Sequence, residues 1–103
     1  MINFLKETME DLDRCKKDFY EDVLWIGTID GSAKISHNDF IVVANFEYDN
    51  GYGGAEISTN LVLVGEDWWL ERGEYDGSEW WTFKQIPELS DEPSKLESLS
   101  ERW

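Results

Sequence analysis

The segment from Leu61 to Gln85 limits the choice of fold more than any other part of this sequence. Two short turns, Gly65-Glu66-Asp67 and Asp76-Gly77, divide it into three strands of an antiparallel meander. Asp-Gly is a preferred pair for a tight hairpin turn. Centring the second turn on Asp76-Gly77 places Tyr75 opposite Ser78, Glu74 opposite Glu79, Gly73 opposite Trp80, Arg72 opposite Trp81, and Leu70 opposite Phe83. Alternation then sorts the side chains. Leu61, Leu63, Trp68, Leu70, Trp81 and Phe83 form the expected core side, and Val62, Val64, Trp69, Glu71, Tyr75, Trp80 and Lys84 form the other.

Two pairs make physical sense of that register. Trp80 can lie across the bare backbone of Gly73, and Arg72 can stack its guanidinium on Trp81. A third pair opposes two carboxylates, Glu74 and Glu79, which is unfavourable and calls for a cationic neighbour in the fold or in a complex. Ile86-Pro87 ends the sheet, because proline cannot donate to the ladder.

The rest of the chain reads as smaller elements. Ile2, Leu5, Met9, Leu12 and Phe19 fall at helical spacing, which predicts a helix over Ile2–Tyr20 with Lys16 and Lys17 near the negative end of its dipole. A β-hairpin follows through Val23–Ile29 and Ser32–Ile35, turning on Asp30-Gly31 as a type I′ pair. Ser36 with Asp39 resembles a helix cap, and Phe40, Val43, Ala44 and Phe46 share one face, so a short helix is expected from His37 to Asn45 against the strand preference of Ile41-Val42-Val43. Residues 47–60, with three glycines in Gly51-Tyr52-Gly53-Gly54, read as a loop. The expected fold is therefore α+β: an N-terminal helix, a hairpin, a short helix and the meander, the strands forming one sheet. It is a single domain over 1–103, with a core over 1–87 and a tail carrying a short helix at Ser94–Trp103.

Charge narrows the function. The 103 residues hold 23 Asp and Glu against 9 Lys and Arg, a formal net charge of -14. Direct binding to nucleic acid or an anionic membrane needs a basic footprint that this chain lacks. Disorder is excluded by the 15% of aromatic residues, six of them Trp. A lone Cys15, no apolar run long enough for a membrane span and no signal-peptide pattern at Met1–Glu7 point to a cytoplasmic protein.

Motifs for chemistry fail on inspection. His37 is the only histidine and reads as an exposed turn residue, and no nucleophile–base set can be assembled around it. Glu71 with Glu74 or Glu79 would be a carboxylate pair for glycoside chemistry only by a coincidence that 23 acids make common. Phe46, Tyr48 and Ile57 stand where an EF-hand aligned on Gly51 needs oxygen ligands, and the glycine loop lacks the Lys-Ser/Thr of a P-loop. No catalytic residue, metal or cofactor is expected.

What remains is an acidic surface interleaved with aromatics. Residues 47–103 hold 14 of the acids and 4 of the bases, so the excess is concentrated with the meander. Trp69, Tyr75 and Trp80 among Glu66, Asp67, Glu71, Glu74, Asp76 and Glu79 form the first candidate binding surface; Tyr48, Asp49, Tyr52 and Glu56 of the glycine loop form a second. The competing reading is that a helix covers the aromatic face and makes it core.

Asp22-Val-Leu-Trp-Ile-Gly27, Tyr48-Asp-Asn-Gly-Tyr-Gly-Gly54, Asp67-Trp-Trp-Leu-Glu-Arg72 and Glu74-Tyr-Asp-Gly-Ser-Glu-Trp-Trp81 resemble a group of small acidic proteins encoded by phages and prophages of Gram-positive bacteria. In size and charge the chain is also similar to anti-CRISPR and other anti-defence inhibitors. That resemblance implies a non-enzymatic inhibitor in the cytoplasm of a bacterial host, whose partner is a basic protein such as a Cas nuclease. The alternatives are an immunity protein for a basic toxin and a phage accessory protein that forms a homodimer through its aromatic face.

Overall fold

The computed structural model describes residues 1–51 and 54–100. The fold is α+β: β1 (Ile2–Asn3), α1 (Phe4–Arg14), β2 (Trp25–Thr28), β3 (Lys34–Ile35), α2 (His37–Val43), β4 (Glu47–Tyr48), β5 (Leu61–Val64), β6 (Trp68–Tyr75) and β7 (Ser78–Gln85). Hairpin and meander join in one five-stranded antiparallel sheet, ordered β3-β2-β5-β6-β7, while β1 and β4 pair separately.

The meander has the expected register throughout, from Tyr75↔Ser78 through Gly73↔Trp80 and Arg72↔Trp81 to Leu70↔Phe83. Asp76 and Gly77 take φ of 51° and 84°, the two left-handed positions of a type I′ turn. The β2–β3 hairpin keeps the expected centre, with Gly27↔Lys34 and Ile26↔Ile35, but not the expected turn. Of its loop residues only Gly31 has a positive φ. Asp30 instead accepts hydrogen bonds from the Ser32 amide at 2.9 Å, the Ser32 hydroxyl at 2.7 Å and the Thr28 hydroxyl at 2.8 Å, a side-chain turn that displaces the two-residue one.

Both helices are shorter than expected. Asn3 caps α1 by accepting from the Lys6 amide, and the buried row is Phe4, Thr8 and Leu12, with Ile2, Leu5 and Met9 half-buried beside it. The helix stops at Arg14 because Lys16 turns left-handed (φ 61°), letting Lys17 N–H reach Leu12 C=O and Lys16 N–H reach Asp13 C=O. Phe19 is buried from the following loop, not from the helix. The cap Ser36 and the burial of Phe40 and Ala44 at i, i+4 outweigh the β-branched run in α2, which leaves Val43 and Phe46 exposed. His37 is not a free turn residue: its ring lies 5.0 Å from Phe19, stacks on Tyr20, and meets Val23 C=O at 2.7 Å.

Residues 86–100 form no helix or strand, and Leu96 and Leu99 are exposed. The described part of the helix expected at 94–103 finds no surface on which to bury its apolar stripe; its last three residues lie outside the described ones. The core sits on one face of the sheet, where Ile26, Leu63 and Leu70 meet Phe4, Leu12 and Phe40 from the helices.

Candidate functional site

Neither helix covers the second face of the five-stranded sheet. Its rows follow from the pairing: Trp25, Val64, Trp69 and Lys84 lie side by side, then Gly27, Val62, Glu71 and Thr82, then Gly73 and Trp80, and Tyr75 beside Ser78. Trp25 and Trp69 are half-buried, whereas Tyr75 is 78% and Trp80 40% exposed. Trp25, Ile29, Val62, Val64 and Trp69 line a shallow apolar depression of 220 Å³ with Val62 as its buried floor. Trp69 is fixed in place by donating from Nε1 to Glu71 Oε1 at 2.7 Å. Gly73 is bare for a reason: a Cβ there would come within 2.8 Å of Trp80 Nε1 and 2.9 Å of Thr82 Oγ1.

The acids are distributed differently from the expected interleaving. Glu71 is the only carboxylate in these rows, and it shares them with Lys84. Exposed Glu66 and Asp67 stand in the β5–β6 turn, and exposed Asp76 in the β6–β7 turn at the opposite end of β6. The face is thus aromatic, with its negative charge at the two ends.

Glu74 and Glu79 do not belong to it. Both fall on the helix-facing side, because each is an even number of residues from Arg72 or Trp81 along its strand. Glu74 is exposed, but Glu79 is only 3% exposed. Glu79 Oε1 accepts from Arg72 Nη2 at 3.2 Å and Ile57 N–H at 3.1 Å, and Oε2 accepts from Glu56 N–H at 2.7 Å. Arg72 is therefore the cationic neighbour that the Glu74–Glu79 pair calls for. Its guanidinium lies 4.8 Å from the Trp81 ring centre and 5.2 Å from that of Phe4, and Nη2 also donates to Tyr48 OH at 3.1 Å. Among the described residues Nε and Nη1 have no hydrogen-bond partner, and the ring faces with the Glu7 carboxylate at 3.9 Å from Nη1 supply the remaining stabilisation. Burial raises the Glu7 carboxyl above its ordinary range, and burial with the Glu7 hydrogen bond raises the Tyr48 phenol.

This cluster ties α1, β4, β6 and β7 to the Glu56–Ile57 backbone and engages both oxygens of Glu79, which is buried in the fold and not presented on the open face. Glu71 faces away from it, and the two carboxylates share no common site for glycoside chemistry. Asp49 and Glu56 form a third group, in which Glu56 Oε2 accepts from Asp49 N–H at 2.8 Å beside the buried Glu79. Tyr48, expected on the same loop surface, is instead the buried end of β4, packed against Phe4, and Tyr52 lies outside the described residues.

Trp25 and Ile29 belong to the open face and escaped the sequence reading. Their parity within the hairpin was visible, but that β2 lies against β5 was not. Among the described residues no group of three or more His, Cys, Asp or Glu is placed to hold a metal ion, and no helix is long and apolar enough to cross a membrane. Burial raises the Cys15 thiol, away from thiolate chemistry. No protein-family model matches this sequence, nor does any curated protein or solved structure.

Proposed function

We propose that this protein is a non-enzymatic acidic inhibitor of the phage anti-defence kind, which occupies the basic nucleic-acid groove of a nuclease effector such as a Cas protein. The observation that carries this reading is the uncovered sheet face on which Trp25, Trp69, Trp80 and Tyr75 stand between carboxylate-bearing turns. Tyr and Trp are frequent binding hot spots, since they contribute large contact area at small cost in side-chain entropy. Glu66, Asp67 and Asp76 take the place of phosphates against Arg and Lys of the target, and the net charge of -14 speeds encounter with a basic surface. The resemblance to small acidic phage proteins supports the same class.

Titration of the protein against purified nuclease effectors at low and high salt, read by DNA cleavage, tests this. Inhibition that weakens as salt rises is expected; absence of binding to every effector at low salt overturns it. A second reading, self-association through the same face, is favoured by the exposure on it of apolar Ile29 at 59% together with Tyr75 at 78% and Trp80 at 40%. Sedimentation at several concentrations separates the two, a stable dimer with shielded tryptophans supporting self-association.

A further inference from the structure

β7 is an outer strand of the sheet, and its free edge is long and regular. Tyr75 and Ser78 flank a two-residue turn and so form a hydrogen-bonded pair. Antiparallel alternation then directs the N–H and C=O groups of Ser78, Trp80, Thr82 and Lys84 toward β6, and those of Glu79, Trp81, Phe83 and Gln85 outward. At the start of the strand the outward Glu79 N–H is satisfied by Asn50 C=O at 3.0 Å. Beyond it the outward backbone groups of Trp81, Phe83 and Gln85 have no partner among the described residues.

Proteins usually blunt such an edge with proline, a bulge, inward charges or a very short strand. The opposite edge follows that rule, since β3 is only two residues long. From Trp81 to Gln85 the β7 edge is blunted far less: its inward charge, Glu79, comes before this stretch, Lys84 is its one charged residue, the pairing with β6 runs without a bulge, and proline arrives only at Pro87. Water can satisfy such groups singly, but an extended backbone matches the whole row of donors and acceptors at strand spacing.

We propose that this edge receives one extended, cationic segment of a protein partner as an additional antiparallel strand. The inference rests on the reading of the chain as a binder of basic proteins and specifies how that binding is made. Charge selects the occupant, because a second copy would bring another -14 to the same edge. The geometry also places the cation. In an added antiparallel strand the residue opposite Trp80 lies in a non-hydrogen-bonded pair, the closer kind, where an Arg or Lys can stack on the exposed indole. Exposed Glu74 and Asp76 flank that end, whereas Lys84 disfavours a base at the other. The segment is therefore extended at its N-terminal end and basic toward its C-terminal end.

The probe is a synthetic peptide amide, acetyl-Thr-Val-Thr-Val-Arg-Thr-Arg, added to the full-length protein, with amide hydrogen exchange read residue by residue. At a peptide concentration about tenfold above its Kd, exchange at Trp81, Phe83 and Gln85 is expected to slow about tenfold. The counterpart with Glu for Arg gives no protection. Gln85→Pro removes one outward N–H and none of the β6–β7 bonds, so it weakens the peptide about fivefold, the worth of one hydrogen bond. Unchanged exchange at Trp80, Thr82 and Lys84 shows that this variant is folded.

The inference is overturned if the Trp81, Phe83 and Gln85 amides are not slowed, if the Glu peptide slows them equally, or if protein concentration alone protects them, which would make a second copy the occupant. Docking of the peptide with no nuclease bound leaves the edge site standing and removes the proposed function. A nuclease that binds wild type and Gln85→Pro alike does the reverse.

Discussion

The guanidinium carbon of Arg72 lies 4.8 Å from the centre of the Trp81 ring, and the two residues are direct partners across β6 and β7. The cation is thereby held between an aromatic surface and the Glu79 carboxylate, with side-chain exposure of 2% for both ion-pair partners. A charge so buried is expensive to leave alone, so the pair acts as a unit.

Removing either member should therefore cost about 3–5 kcal/mol in urea unfolding. Glu79→Ala is expected to be the more damaging, because it strands the Glu56 and Ile57 amides as well as Arg72. Loss of less than about 1 kcal/mol from Arg72→Ala, the size of an exposed ion pair, would show that the pair is solvated.

Two glycines of the meander, Gly65 in the β5–β6 turn and Gly73 in β6, should respond differently to the same substitution. A Cβ at Gly65 would come within 2.0 Å of Nε1 of Trp68, which is buried among the core, so Gly65→Ala forces a repacking that costs about 1–3 kcal/mol or more. At Gly73 the obstacles are two side-chain ends, the half-free ring of Trp80, which can swing into solvent, and the Thr82 hydroxyl, which can rotate away. Gly73→Ala should leave the unfolding midpoint nearly unchanged and shift tryptophan emission to longer wavelength.

Tyr75→Ala should change stability by no more than about 0.5 kcal/mol, as for other exposed positions away from packing. If the open face is the contact surface, Trp80→Ala should weaken nuclease binding about 30-fold, the effect of a hot-spot residue near 2 kcal/mol. Unchanged affinity in a folded Trp80→Ala protein places the contact elsewhere.

Burial, opposed by the Tyr48 hydrogen bond and Arg72, raises the Glu7 carboxyl above 4.5. The folded state then holds its proton more tightly than the unfolded state, so this group's contribution to stability falls as pH rises from 4.5 through the raised value. Glu7→Gln should abolish that component of the pH dependence, measured by unfolding at a series of pH values. Retention of the slope would assign it to another group.

Asp30 titrates in the opposite sense. Hydrogen bonds from the Ser32 amide and the Ser32 and Thr28 hydroxyls lower its carboxyl from 3.8 to about 2. Its contribution is present above pH 3.8 and is lost as pH falls toward about 2. Titration of the Asp30 carboxyl carbon by NMR should give a midpoint near that value, and Ser32→Ala should raise it.

The meander was legible because one tight turn sets the pairing of every residue after it, and parity does the rest. The same parity places Glu79 beneath the helices, since it lies two residues from Trp81; grouping it with the exposed acids neglected that count in favour of its charge. The end of α1 was hidden because the residue that turns left-handed is Lys16, not a glycine. The membership of Trp25 in the open face depends on β2 pairing with β5, a contact between segments more than thirty residues apart that no local pattern announces.

The hydrogen bond from Trp81 Nε1 to the Thr8 hydroxyl spans 73 residues of sequence. At translation rates of about 5–20 residues per second, α1 is made roughly 4–15 s before the strand against which it packs. During that interval Phe4 and Leu12 have only α2 and the earlier strands to pack on, and the nascent chain must keep the uncovered part of its first helix from other partners until β7 is synthesised.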